Sequence, residues 1–403
     1  MRDKLHYLFL NIGHFLDHLF MLVFATVAAL ALGREWGMGY GELIAYATPG
    51  FIAFGAFALP AGWLADRWSK EGLITVFFIG IGLSACATAL AQTPLQMGIG
   101  LFAIGAFAAI YHPVGIALVL EGHAKTGMRI AVNGVWGNMG VAVAALLTAF
   151  LIDTTGWRSA FVWPGALSVA LGIAYGITIW RTAETDRQAK AASGKSSKVP
   201  DPVFDRTMFI RVLAVIFFTT ALGGLVFQST TFALPKVLDE RAADIAASAT
   251  LIGWLAFFAF AVGSVGQLIV GSLVDRVSPR LVFLGVAAMQ VVFFAAMAQA
   301  TGWYVVAFSV AFMLATFGQI PINDVLVGRV AKSAWRSRIL ALRYTITISV
   351  MASSVPFIAW VHGTWGFDRL FVILSFTAAF ICLAVATLPA AISGTKPQLA
   401  PAE

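Results

Sequence analysis

The chain has 403 residues, of which 60% are hydrophobic and only 11% are charged. About a quarter of the residues of an ordinary globular domain are charged, so this composition excludes a soluble globular protein and indicates a membrane protein. The net charge of +7 does not indicate nucleic-acid binding, because a basic surplus in a membrane protein more often marks its cytoplasmic loops. We therefore expect no nucleic acid among its partners.

Apolar windows of about 20 residues, the length that a helix needs to cross the hydrocarbon core, recur along nearly the whole chain. They predict an all-α membrane protein with twelve transmembrane helices, and no motif in the sequence calls for a cofactor. The predicted spans are 6–32, 43–64, 72–91, 95–119, 130–152, 159–180, 209–234, 246–273, 280–299, 302–327, 338–361 and 367–389.

The distribution of basic residues predicts the topology. If the amino terminus is cytoplasmic, all but five of the 26 Lys and Arg residues fall on the cytoplasmic side, as expected for a multi-pass protein of the inner membrane. Both termini are then cytoplasmic. The five basic residues left outside are Arg34, Arg158, Lys236, Arg241 and Arg369.

The chain also repeats itself on either side of a polar segment. The sequence GWLADRW begins at Gly62 and GSLVDRV begins at Gly271, while Gly156 and Gly366 open a second related pair of stretches. Internal repeats of this size are characteristic of transporters. We therefore predict an amino-terminal six-helix bundle (1–180), a cytoplasmic linker (181–208), a carboxy-terminal six-helix bundle (209–390) and a cytoplasmic tail (391–403).

The duplicated loop motif resembles that of the major facilitator superfamily. The resemblance implies two pseudo-symmetric six-helix bundles around a central cavity lined by spans 1, 4, 7 and 10. The motif aspartates lie at the cytoplasmic ends of their spans, where we expect each to interact with a neighbouring helix amino terminus and with arginine. Such contacts would hold the inner face closed. The motif residues are Gly62, Asp66 and Arg67, repeated as Gly271, Asp275 and Arg276.

Two further stretches refine this resemblance. Tyr111-His112-Pro113 in span four is similar to fosmidomycin-resistance members of the superfamily. Many proton-coupled drug exporters of the family carry an arginine in span four, and this span has none. Their span-five motif has Gly-Pro, where this chain has Gly137-Asn138. Export is therefore not established by motif.

The first span carries an unusual polar stretch, GHFLDHLFML, beginning at Gly13. At about 100° per residue, one arc of about 120° contains Asn11, His14, Asp17, His18 and Met21. An ionisable group at membrane depth costs several kcal/mol unless it faces water or a partner, so these residues are candidates for the substrate or proton pathway.

Three interpretations of this face are open: contacts between helices, proton coupling or ligand contact, and a metal site. We favour the second, with Asp17 as the proton carrier, because carboxyl and imidazole groups can change protonation near neutral pH. We expect no specific metal binding. If an ion is bound, its predicted ligands are His14 and His18 at i and i+4, with Asp17 nearby.

Other spans add polar candidates for the same pathway. They are Tyr111 and His112 in span four, Gln228 in span seven, Asn323 and Asp324 in span ten, and Arg343 in span eleven. Asp324 and Arg343 are placed to form an ion pair, either structural or part of a gate. The alternative for the uncharged groups is hydrogen bonding between helices.

These features predict a secondary active transporter that moves a small organic solute across the inner membrane by alternating access. The histidines and Arg343 favour an anionic solute, protons are the expected driving ion, and export is favoured over import. The alternatives are an importer of a transition-metal ion or a metabolite, and a receptor or lipid-handling protein without coupling. We expect no enzyme activity, and a monomer whose partners are the solute, protons and membrane lipids.

Overall fold

The computed structural model describes residues 2–121, 127–190, 206–331 and 333–389, and these residues form helices with no strand. This confirms the predicted all-α class. Residues 191–205 of the predicted linker and the predicted tail 391–403 lie outside the described residues.

The amino-terminal part of the chain contains two π-helical turns, Ala28–Leu32 and Tyr111–Gly115. Its α-helices are α1 (Arg2–Val27), α2 (Gly33–Trp36), α3 (Tyr40–Ala45), α4 (Thr48–Ala56), α5 (Ala58–Arg67), α6 (Lys70–Thr88), α7 (Pro94–Ala108), α8 (Ile116–Leu120), α9 (Gly127–Thr155) and α10 (Ser159–Lys190). The carboxy-terminal part contains α11 (Arg206–Arg241), α12 (Ala249–Arg276), α13 (Pro279–Met297), α14 (Trp303–Val330) and α15 (Ser333–Ala386).

Within the described residues, eleven helical segments are long and apolar enough to cross a membrane. The last of them, Leu342–Ala386, has 45 residues, and a helix of that length would extend about 68 Å, twice the hydrocarbon thickness of about 30 Å. It is interrupted at Gly366, whose φ of 75° and ψ of −174° are not helical. The predicted spans 338–361 and 367–389 lie on either side of this break, so the structure is consistent with twelve crossings.

The repeat seen in the sequence has a backbone counterpart. Gly156 lies between α9 and α10 with a φ of 89°, and Gly366 interrupts α15 with a φ of 75°. A positive φ is easily adopted only by glycine, because other residues carry a Cβ atom. Both repeats therefore use a glycine to end one helix and begin the next.

Large apolar side chains on the helices are exposed, as a membrane protein requires. Leu90, Leu95, Ile99 and Phe376 are 76%, 68%, 62% and 64% exposed. Such surfaces are unfavourable in water but suit contact with lipid. Together with the eleven apolar segments, they describe a multi-pass membrane protein.

The chain forms two compact units, each described here by itself. Unit 1 comprises Met1–Lys198, Thr231–Ala261 and Ala352–Thr364. Within it α1 packs along α9, α6 packs against α10, and α4 packs against α7. Fully buried aromatic side chains, including Phe20 and Phe78, fill its interior. Helix α1 is therefore held inside this unit.

Unit 2 comprises Val199–Thr230, Val262–Met351 and Trp365–Glu403. Helix α13 packs against α14, and the apolar core includes Phe283 and Ile322. The predicted division into bundles 1–180 and 209–390 stays a prediction, because both units contain parts of the later helices.

Candidate functional site

The polar face predicted on the first span lies in the interior of unit 1. Asn11, His14 and Asp17 are 4%, 7% and 1% exposed, while His18 and Met21 are partly exposed. Side chains this buried in a membrane protein need polar partners, because hydrocarbon offers none. Neighbouring helices supply several of them.

The apolar side of α1 faces protein as well. On this side Leu16, Leu19 and Phe20 are only 2%, 1% and 1% exposed. Most of helix α1 is therefore buried, and Phe15 on this side is partly exposed.

Between α7 and α8 the chain widens into the π-helical turn Tyr111–Gly115, which contains Pro113. Proline cannot continue the hydrogen bonding of a regular α-helix, and single π-turns frequently mark functional sites. This turn brings two predicted residues to α1. The ring of Tyr111 stacks on His14 with centroids 5.0 Å apart, and the ring of His112 lies 5.3 Å from that of His14.

Three imidazoles thereby meet in unit 1. The ring centroids of His14 and His18 are 4.9 Å apart, and those of His18 and His112 are 5.6 Å apart. One ring nitrogen from each residue lies within 4.8 Å of the other two. We call His14, His18 and His112 the histidine cluster. The sequence placed the first two on one helix face but did not predict that His112 joins them.

Asn133 on α9, which the sequence analysis did not single out, organises the surrounding hydrogen bonds. The Nδ1 atom of His14 donates to the backbone oxygen of Asn133 at 2.8 Å and to its Oδ1 at 2.9 Å. The Nδ2 of Asn133 donates to Asn11 Oδ1 at 2.9 Å and to the Tyr111 hydroxyl at 3.0 Å. That hydroxyl donates to the carbonyl of Leu10 at 2.6 Å. Both acceptors on Nδ1 are oxygens, so the proton of His14 lies on Nδ1.

Asp17 contacts the cluster through His112. Its Oδ2 lies 3.3 Å from Nε2 of His112. Within the described part of the chain, three buried atoms here have no hydrogen-bond partner: Asp17 Oδ1, His14 Nε2 and His112 Nδ1. The large majority of buried side-chain polar atoms in proteins are paired. These three unpaired atoms lie on neighbouring residues and are candidates for contact with a ligand.

Glycines make room for these rings. A Cβ atom on Gly137 would lie 2.7 Å from Nε2, 2.8 Å from Cε1 and 2.9 Å from Cδ2 of His14. These nearly equal distances place the Cβ over the face of the ring, not along the direction of its lone pair. A Cβ atom on Gly13 would lie 2.9 Å from the Tyr111 ring. The rings fit only because both positions lack a side chain.

Unit 2 contains the predicted pair of Asp324 and Arg343. The Arg343 guanidinium donates to Asp324 Oδ1 through Nη2. The Arg343 side chain is 9% exposed, whereas that of Asp324 is 40% exposed. The Nε atom of Arg343 is buried and has no hydrogen-bond partner among the described residues. One donor of this buried cation is therefore unused.

The uncharged candidates of unit 2 do not form one network. Asn323 accepts from Thr219 Oγ1 at 3.2 Å. The side chain of Gln228 is 1% exposed, and its amide has no hydrogen-bond partner in the described ranges. Gln290 and Gln319, which sequence reasoning did not select as site residues, share a bond of 2.9 Å. In the sequence, the only sign of this pair is that each glutamine is an isolated amide inside an apolar span.

The aspartates and arginines of the loop motif lie at helix ends and are exposed, whereas its two glycines are partly buried. Asp66 and Asp275 each occupy the last turn of a helix, α5 and α12, and neither has an ion pair among the described residues. Arg67 lies over the ring of Trp63, 3.9 Å from its centroid. A Cβ atom on Gly62 would meet Pro113 at 3.5 Å. The gating role of this motif, with Gly271 and Arg276 in its second copy, stays a prediction.

The profile of the Major Facilitator Superfamily matches residues 10–242, more than half of the chain. The chain belongs to the major facilitator superfamily. The resemblance inferred from the duplicated loop motif is therefore confirmed. The similarity of Tyr111-His112-Pro113 to fosmidomycin-resistance members stays an interpretation of the sequence.

Curated relatives include the gallate transporter of Pseudomonas putida, 25% identical over 63% of this chain and 62% of the relative. The 4-hydroxybenzoate transporter PcaK of the same species is 25% identical over 66% of this chain and 65% of the relative. The matches thus span less than two thirds of the length of these relatives. The family and its relatives are transporters, which confirms the expectation that the chain is not an enzyme.

Solved structures share the fold. A bacterial homologue of the human lysosomal transporter Spinster has a TM-score of 0.73 at 13% identity, covering 98% of this chain and 99% of that one. The nucleoside transporter NupG has a TM-score of 0.73 at 14% identity, covering 95% and 99%. At these identities the likeness concerns the fold alone, and it agrees with the predicted architecture.

Proposed function

We propose that the chain is a secondary active transporter of the inner membrane, with both termini cytoplasmic, that moves a small organic carboxylate by alternating access coupled to protons. Family membership and the apolar spans support transport. Relatives are named for gallate and 4-hydroxybenzoate, and both are aromatic carboxylates. The proposed solute class is therefore an aromatic or similarly small carboxylate.

The buried guanidinium of Arg343 is the observation that supports this proposal most directly. A carboxylate that crosses the membrane needs a cation to bind, and buried charges within transmembrane segments mark solute pathways. Arg343 is buried, and its Nε is not used by Asp324 or by any other described residue. A guanidinium presents donors in a fixed fork that matches a carboxylate. We assign Arg343 the role of carboxylate anchor.

Coupling follows from the competition between Asp324 and the solute for the same guanidinium. While Asp324 is ionised, it holds Arg343. A proton on Asp324 removes that negative charge and frees the guanidinium for the solute. Because the Asp324 side chain is 40% exposed, a proton can reach it. Solute binding and proton binding therefore favour each other.

The sequence favoured Asp17 as the proton carrier, and that role stays a prediction. The proposal places coupling at Asp324 because its partner is the cation that the carboxylate needs, whereas Asp17 contacts His112. The direction of transport, export, also stays a prediction. So do the monomeric state and the expectation that membrane lipids are partners.

Uptake into proteoliposomes tests the anchor. Vesicles containing the full chain are supplied with labelled 4-hydroxybenzoate or gallate under a pH gradient of either direction, which also measures the direction of transport. Losing a hydrogen-bonded charge is worth about 1.5–3 kcal/mol, so Arg343→Ala should reduce kcat/KM at least about tenfold. Arg343→Lys keeps the charge but not the forked guanidinium, so its kcat/KM should lie between that of Arg343→Ala and that of the wild type.

The matched control is Arg280→Lys, which alters a cation of unit 2 bonded to the carbonyl of Ala386. It should transport like the wild type. Full activity in Arg343→Ala would overturn the anchor. Uptake of neutral analogues at the same rate as the carboxylates would overturn the solute class.

A further inference from the structure

The histidine cluster has the spacing of a metal centre. Zinc–nitrogen bonds of about 2.0–2.1 Å place two imidazole ring centres about 5.2 Å apart in a tetrahedral site. The three centroid distances in the cluster are 4.9, 5.3 and 5.6 Å. One ring nitrogen from each residue lies within 4.8 Å of the other two. One ion requires a separation of about 3.3 Å, so binding would draw the rings closer together.

Two of the imidazoles are also prepared as ligands by their outer nitrogens. His14 donates its Nδ1 proton to two oxygens of Asn133, and His112 Nε2 lies beside the Asp17 carboxylate. Metal-binding histidines characteristically direct the other ring nitrogen at a carbonyl or carboxylate, which fixes the ring and its tautomer. The remaining nitrogens, Nε2 of His14 and Nδ1 of His112, are buried without a partner among the described residues.

The local charge suits a cation. Asp17 is 1% exposed, and its Oδ1 has no partner in the part of the chain that the structure describes. A buried carboxylate is costly unless a positive charge is near it. A divalent ion on the cluster supplies that charge. The side chain of His112 is 24% exposed, which leaves a route for the ion.

We propose that His14, His18 and His112 bind one divalent transition-metal ion of the zinc class. Asp17 and Asn133 act as positioning residues that orient two of the ligands. Imidazole ligands select zinc, nickel, cobalt and copper over magnesium and calcium, which prefer oxygen. Three protein ligands leave the fourth coordination position for water or an anion. The proposal departs from the expectation of no specific metal binding, and it names His112 in place of Asp17 in the set that the sequence offered for a bound ion.

Calorimetry on the purified full chain, stripped with EDTA, tests the site with ZnCl2, MgCl2 and CaCl2 as probes. The expected result is saturable binding of one Zn²⁺ per chain, with no binding of Mg²⁺ or Ca²⁺. His18→Ala is the most informative variant, because no hydrogen bond of His18 is found among the described residues. It should bind Zn²⁺ at least about tenfold more weakly, and His112→Ala should do the same.

The control is His362→Ala, which removes a histidine that bonds Glu240 at 3.0 Å outside the cluster. It should keep wild-type affinity. Asp17→Asn should weaken binding about 10–100-fold while X-ray absorption still shows three imidazole ligands. Absence of saturable Zn²⁺ binding in the wild type would overturn the proposal. Unchanged affinity in both His18→Ala and His112→Ala would also overturn it.

This inference does not rest on the proposed transport of carboxylates. The binding experiment contains no organic solute, and uptake can be measured in the presence of EDTA. Failure of one experiment therefore leaves the other result standing.

Discussion

His14 on α1 donates its Nδ1 proton to two oxygens of Asn133 on α9, the backbone carbonyl at 2.8 Å and the side-chain oxygen at 2.9 Å. The same asparagine donates to Asn11 and Tyr111. One side chain thus joins α1, α9 and the π-helical turn. The bond from His14 to the backbone oxygen of Asn133 does not depend on the Asn133 side chain. A variant that lacks this side-chain amide therefore tests its structural role while the imidazole of His14 stays in the protein.

Asn133→Ala should therefore destabilise unit 1 more than Asn11→Ala. The first change leaves Asn11 Oδ1 unpaired, and a buried unsatisfied group costs about 1–3 kcal/mol. After the second change, Asn133 Nδ2 keeps its bond of 3.0 Å to Tyr111. Thermal unfolding midpoints in one detergent measure the order. Thr154→Ala, at an exposed hydroxyl of the same helix, is the control and should change little. Equal midpoints for both asparagine variants would contradict the network.

Gly137→Ala should displace His14, because the added Cβ would lie 2.7–2.9 Å from three ring atoms. We expect a lower unfolding midpoint and weaker Zn²⁺ binding. Gly285→Ala is the matched control, since a Cβ there meets nothing within 4 Å. Alanine is favoured over glycine inside a helix by about 1 kcal/mol, so the control should be neutral or slightly stabilised. A Gly137→Ala variant that behaves like the control would mean that the His14 ring has room to move.

The sequence predicts well what depends on one helix at a time. The spacing of Asn11, His14 and Asp17 places them on one face by helical geometry alone, and the structure finds them buried together. The repeated glycines Gly156 and Gly366 share a positive φ because the same helix-ending turn occurs in both repeats. Periodicity is sufficient for the shared face, and the repeat of residue types is sufficient to pair the two glycines.

Relationships between helices were not predictable in the same way. Whether His112 meets His14 depends on the path of the π-helical turn and on how that turn packs against α1, and neither is encoded in the spacing along one helix. Asn133 was missed for that reason: a single amide in an apolar span is visible, but its partners are not. The loop-motif aspartates, in turn, were expected to contact arginine, and the structure leaves Asp66 and Asp275 exposed without an ion pair among its described residues.

Topology can be measured directly. Because most basic residues fall on one side, reporters fused after Lys198 and after Glu403 should both be cytoplasmic, and one inserted near Gly37 should be external. Paired fusions to a fluorescent protein that is active inside and a phosphatase that is active outside provide the measurement. The Gly37 fusion is the internal control, since it must give the opposite signal. A phosphatase signal at Lys198 would contradict the arrangement of two six-helix bundles.

The last prediction concerns coupling at Asp324. Asp324→Asn removes the titrating group but keeps a side chain of nearly the same shape beside Arg343. Solute accumulation driven by a pH gradient should be lost, because the neutral amide no longer exchanges a proton when the solute binds. Exchange of labelled for unlabelled solute at equal pH should persist, since it needs the anchor and the conformational change but no net proton movement.

The comparison of the two assays in the same vesicles gives the decisive measurement. Asp244→Asn, which neutralises an exposed carboxylate between α11 and α12, should behave like the wild type in both. Accumulation that persists in Asp324→Asn at the wild-type level would exclude this carboxylate as the coupling group and return Asp17 to that role. Loss of exchange as well as accumulation would show that the pair with Arg343 is needed to hold the fold or the anchor, and coupling at Asp324 would then be rejected in the form stated here.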